Sequence, residues 1–247
     1  MPWDFILILA VLAILVPWRG GVRIRQLLSR PTISTEERLA LYASTIGFQW
    51  LAAGIVFWRC AAHRYSGAQL GLALEKPAAT VTIGLAIAAL LISNQIFSIR
   101  RLATFPPKKQ GLMVRIARQL MPHAHEETLV FVALVATVAI CEEFLYRGFV
   151  QAVFEDAAQG RVVVGILVSA VFFAVAHVYQ GRRGLIVTFF IGLLFSLTRS
   201  WTGSILPSVI AHFATDLSAG LASRRWLSRA TPTGGTEEPA AEAVQRE

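Results

Sequence analysis

The chain has 247 residues, 55% hydrophobic and only 15% charged, with a formal net charge of +8 and a mean hydropathy of +0.58. A soluble domain of this size is rarely so apolar, and several windows approach 20 residues with few charges, so the composition excludes an ordinary soluble enzyme and points to a polytopic membrane protein. The basic residues flank the apolar stretches, which fits contact with an anionic leaflet and argues against a nucleic-acid partner. The two cysteines, Cys60 and Cys141, make neither a disulfide framework nor a metal-binding spacing.

In chain order, Phe5–Val16 is the first apolar stretch. The residues before it carry no positive charge, so it is predicted to be a retained helix and not a cleaved signal peptide. Pro17–Arg30 holds Arg19, Arg23, Arg25 and Arg30 and is expected to be a basic connection. Ser34 and Glu37 have the spacing of a capping box and open a helix that runs on through Leu39–Trp58. Arg59–Pro77 is a polar connection, and Ala78–Phe97 is the third span.

Arg100–Pro122 differs in kind. It opens with Arg100-Arg101, is broken by Pro106-Pro107 and continues with Lys108-Lys109. Leu112, Met113, Ile116 and Leu120 then recur at helical spacing with Arg115 and Arg118 between them, the pattern of a basic amphipathic helix in the membrane interface. His123, His125, Glu126 and Glu127 are expected to form a solvated helix start, where early glutamates suit the dipole. The fourth span is predicted over 128–154, the fifth over 161–179, the sixth over 184–198 and the seventh over 204–221. The remaining tail, rich in Thr, Pro, Gly and Ala, has a disordered composition.

The fold class expected is therefore all-α: a membrane helix bundle of about seven transmembrane helices and one interfacial helix. Three units are expected: variable N-terminal helices over 1–127, a catalytic helical core over 128–222, and a cytoplasmic tail over 223–247. With the N-terminus outside, sixteen Lys and Arg fall on the cytoplasmic side against five outside, a bias that orients the bundle and requires an odd number of spans. We expect a multi-pass protein of a prokaryotic cell membrane.

The fourth span carries two carboxylates and a guanidinium in Cys141-Glu142-Glu143-Phe144-Leu145-Tyr146-Arg147-Gly148. Each costs roughly 2.5–3.5 kcal/mol at a helix centre on insertion scales, so such groups are kept where partners satisfy them and they do something. Glu143 precedes Arg147 by four residues, the favoured order for an intrahelical ion pair. Glu142 points about 100° away around the helix and has no such partner, which leaves its carboxylate available. His177 ends the fifth span, and His212 and Asp216 lie four apart in the seventh. At about 1.5 Å of rise per residue, Glu142, His177, His212 and Asp216 all lie roughly 14–24 Å from the outer ends of their spans, in one layer of the bilayer.

Glu142-Glu143-x-x-x-Arg147, Phe173-x-x-x-His177 and His212-x-x-x-Asp216, on successive helices, resemble the three motifs of the CPBP family, the CAAX-protease and bacteriocin-processing (Abi) type of intramembrane endopeptidase. Tyr146-Arg147-Gly148 and Thr202-Gly203-Ser204 with Pro207 are similar to that family too. The resemblance covers about 128–222 and implies hydrolysis of a peptide bond in a membrane-associated peptide or protein substrate, prenylated or leader-bearing. It implies Glu142 as general base, His177 as the group that helps hold its water, and His212 and Asp216 as positioning or oxyanion groups, with Glu143, Arg147 and Phe173 in support. Asp216 stands where the family often has Asn. An ionised Asp cannot donate to an oxyanion, so its expected role is to orient His212. No cofactor is expected; were the site to use zinc, Glu142, His177, His212 and Asp216 are the candidate ligands. Buried Glu, His and Asp also build proton relays, so a proton-coupled transporter is the rival class, and a non-catalytic scaffold such as a bacteriocin-immunity protein a third.

Overall fold

The computed structural model describes residues 1–30, 32–104 and 111–227. Among them are eight helices and, apart from one isolated antiparallel bridge between Leu72 and Ser204, no strand pairing. The helices are α1 (Trp3–Leu28), α2 (Thr35–Ala62), α3 (Pro77–Ala103), α4 (Gly111–Leu120), α5 (His125–Ala157), α6 (Val162–Ala176), α7 (Gly181–Thr202) and α8 (Leu206–Leu227). The all-α class is thus as expected. Five helices, α1, α2, α3, α5 and α7, are long and apolar enough to cross a membrane, and α6 is a shorter apolar helix. These are the marks of a multi-pass integral membrane protein; the expected seven crossings exceed these five.

Three boundaries differ from expectation. The basic segment after Val16 is no connection: α1 continues through Arg19, Arg23 and Arg25 to Leu28. Long cationic side chains extend from a helix without breaking it, so a charge-based boundary falls too early there. The last helix continues to Leu227, past the expected end near Leu221, and the rest of the tail, 228–247, lies outside the described residues, as do Pro106-Pro107 and Lys108-Lys109. The third difference is α6, whose 15 residues rise only about 22 Å. It stops inside the expected fifth span, passes through a tight turn at Val178–Gln180 and returns as α7.

Partners fixed by sequence pattern hold the frame. Ser34 and Glu37 form the reciprocal cap expected at the start of α2. Glu127 corrects the picture of a solvated start to α5. It is fully buried, pairs with Arg38 at 2.6 Å and accepts from the backbone N–H of His123, while His123, His125 and Glu126 are exposed. Arg38 also donates to the carbonyls of Gln119 and Ile33, so one buried guanidinium ties α2, the end of α4 and the start of α5 together. Helices approach closely where a side chain is missing. A Cβ on Gly84 would lie 3.0 Å from the Pro207 backbone, and one on Gly192 would lie 3.2 Å from that of Ala170. Small residues at such crossings let membrane helices gain dispersion contacts that lipid cannot supply.

At the end of the bundle that holds the start of α1, Asp4 accepts from Arg59 at 2.7 Å and contacts His63 at 2.9 Å. Trp3, Trp58 and Trp201, at the ends of α1, α2 and α7, are 77%, 64% and 79% exposed. Indole rings there match the amphipathic belt at a membrane–water boundary. The loop between α2 and α3 packs over this end. The Gly71 carbonyl accepts from the N–H of Ile205, and Leu70 is buried in the main apolar core with Tyr146 and Phe149.

Candidate active site

The site is built around a change of pitch in α5. From Phe144 to Val150 the backbone widens into a π-helical stretch, with the Gln151 N–H reaching the carbonyl of Tyr146. Such widening inside an α-helix is rare and recurs at functional positions. Every residue from Phe144 to Val150 is buried, and Ser169 of α6 donates to the Tyr146 carbonyl at 2.8 Å.

The ion pair expected from spacing is present: Arg147 Nη1 donates to Glu143 Oε1 at 3.0 Å, with both side chains fully buried. The same oxygen accepts from His212 Nδ1 at 2.9 Å, which fixes the proton of that ring on Nδ1. On its other side His212 faces Asp216, Nε2 to Oδ2 at 3.5 Å. His212 is therefore held between two carboxylates, and Asp216, 40% exposed along its side chain, sits where it can orient the ring.

Phe173 is the common platform. Its ring lies under the Arg147 guanidinium, 4.0 Å from the centroid, and a second ring, Phe195, lies 5.3 Å away. A desolvated cation over aromatic faces gains electrostatic energy of about 2 kcal/mol. The Phe173 ring also meets His177 at 4.6 Å and His212 edge-on at 6.0 Å. The three motifs expected to converge do so here.

The end of α6 sets His177. Its own N–H bonds back three residues, to Ala174, which leaves the Phe173 carbonyl without the usual helical donor. The ring of His177 takes that carbonyl instead, Nδ1 to O at 2.8 Å. A carbonyl only accepts, so Nδ1 carries the proton and Nε2 presents a lone pair. That lone pair faces Glu142 Oε2 at 3.8 Å, beyond direct hydrogen bonding. Oε2 is buried and has no hydrogen-bond partner. The other oxygen of Glu142, Oε1, accepts from Gln49 Nε2 of α2 at 2.9 Å. Glu142 thus has a partner that helical spacing along α5 did not reveal. The signal for it was a lone amide in the apolar run of α2.

The four candidate zinc ligands divide into two pairs, Glu142 with His177 and His212 with Asp216, and His212 Nδ1 is already committed to Glu143. Among the described residues no three His, Cys, Asp or Glu side chains come together as a metal-holding group, so these ligands do not fit a zinc shell.

Fold and site define a helical membrane protein with paired carboxylates and imidazoles buried at the meeting of α5, α6 and α8. Residues 124–218 match the family described as Rce1-like, type II CAAX prenyl endopeptidase Rce1-like, and the match contains all three motifs. The resemblance read from the motifs is thereby shown over that segment. At family level the chain is a CAAX-type peptide hydrolase of the membrane. No curated protein and no solved structure gives a match.

Proposed function

We propose that the chain is a glutamate-dependent intramembrane endopeptidase in which Glu142 and His177 activate water. The observation that carries this reading is the gap of 3.8 Å between two hydrogen-bond acceptors, Glu142 Oε2 and His177 Nε2. A water there gives one hydrogen to each acceptor and keeps a lone pair for attack. The water oxygen adds to the scissile carbonyl while its proton passes to Glu142, and the carbonyl π electrons move onto oxygen. His212, flanked by Glu143 and Asp216, directs an N–H at that developing oxyanion. Collapse of the intermediate breaks the C–N bond, and Glu142 returns the proton to the leaving amine.

The substrate proposed is a peptide held at the membrane by its own lipid, a prenylated C-terminal segment, which the description of the matched family supports. Because the zinc candidates do not share one shell, the reaction runs on side chains alone. The test is Glu142→Gln in reconstituted protein with a farnesylated CAAX-type reporter peptide. The near-isosteric amide cannot take a proton, so cleavage is expected to fall about 10²–10⁴-fold. Near wild-type cleavage would remove Glu142 from the role of base.

A further inference from the structure

We propose that Gln49 is a positioning residue for Glu142, so that the active site is completed by a helix outside the family-matched segment; this rests on the reading of Glu142 as base. An ionised carboxylate offers only acceptors, so the amide nitrogen of Gln49 must be the group that meets it. That contact, 2.9 Å to Oε1, occupies one oxygen and leaves the other, Oε2, turned to His177. The terminal torsion of a glutamate is broad and two-fold. Without a donor on Oε1 the carboxylate plane turns, and Oε2 spends less time opposite Nε2.

The contact is built into the bundle. One residue further along α2, Trp50 Nε1 donates to Thr137 Oγ1 of α5 at 3.2 Å. At the start of the same helix pair, Arg38 is locked to Glu127 at 2.6 Å. These two pins fix the register of α2 against α5 on either side of Gln49. An amide half-buried among apolar residues costs free energy unless it is bonded, and its nitrogen is bonded here to one acceptor, the carboxylate of the base. Gln49 acts through Glu142, and its effect belongs in turnover and not in substrate affinity.

The experiment uses the full chain in proteoliposomes with a farnesylated CAAX-type reporter peptide as the probe. Gln49→Met keeps length and loses the donor; Gln49→Glu keeps shape and presents only acceptors; Gln49→His restores an N–H. The expected result is a fall in kcat of about 10- to 100-fold in the Met and Glu variants, the worth of a hydrogen bond to a charged group. KM should stay within about twofold, melting temperature should be unchanged, and Gln49→His should turn over faster than Gln49→Met. Wild-type kcat in Gln49→Met overturns the proposal, as does a loss that falls on KM or tracks a lowered melting temperature. Glu142→Gln, run alongside, separates the two failures. An inactive Glu142→Gln with a fully active Gln49→Met sinks the role of Gln49 alone, whereas an active Glu142→Gln sinks the assignment of the base itself.

Discussion

His212 gives its Nδ1–H to Glu143, at 2.9 Å, and not to Glu142. The second glutamate of the pair is therefore the joint of the site: on one oxygen it gathers Arg147 from its own helix and His212 from α8. Glu142 is left to Gln49 and His177. Adjacent residues of one type thus hold separate duties, and the duties are testable apart.

Glu143→Ala should destabilise the protein far more than Glu142→Ala. It strands a buried guanidinium and frees a buried imidazole, and breaking a buried pair costs about 3–5 kcal/mol. For a chain of this size each kcal/mol lowers the melting temperature by about 2–4 °C, so melts in detergent should separate the two variants by on the order of 10 °C. Equal melting temperatures would refute the division of labour.

Phe173→Leu should lower both stability and turnover, because one ring supports Arg147, His177 and His212 together. Phe173→Tyr keeps the aromatic face and should melt above the leucine variant by the worth of the cation–π contact, about 2 kcal/mol or roughly 4–8 °C. Coincident melts for the two variants would show that the ring only fills space.

Prolonged chelation should leave cleavage unchanged, with less than stoichiometric zinc in the same sample by mass spectrometry. Were zinc to hold the water, its loss would remove both the nucleophile and the charge that lowers its pKa. Activity lost on zinc removal and regained on its return would overturn the glutamate mechanism.

The turn between α6 and α7 carries Arg182 and Arg183, both exposed, and lies within five residues of His177. With this turn on the cytoplasmic side, Arg182→Cys on a background lacking Cys60 and Cys141 should react with an impermeant thiol reagent only in inverted vesicles or opened cells. Labelling from outside intact cells would reverse the orientation.

What could be read from the sequence divides by the range of the interaction. Hydropathy alone carried the all-α membrane class, because a helix in lipid must satisfy its backbone internally whatever its neighbours. Four-residue spacing carried the Glu143–Arg147 pair, a local contact. The partner of Glu127 lies 89 residues away, at Arg38, and that of Glu142 lies 93 residues away, at Gln49. No local pattern encodes either pairing; packing of α2 against α5 creates both. The short α6 escaped for another reason. Its apolar run continues past the point where the His177 N–H shifts its bond to Ala174, and hydropathy does not register a hydrogen-bond change.

The widened turn of α5 has a genetic consequence. Deleting any one residue between Phe144 and Val150 would rotate all that follows by about 100° relative to what precedes. Gln151 and Glu155, which bond Ser200 and Arg199 of α7, would swing out of reach while Glu142 and Glu143 stayed in place. Composition, hydropathy and the motif glutamates would all survive such a deletion. The open reading frame would still look like an intact peptidase, with its two halves of α5 out of phase.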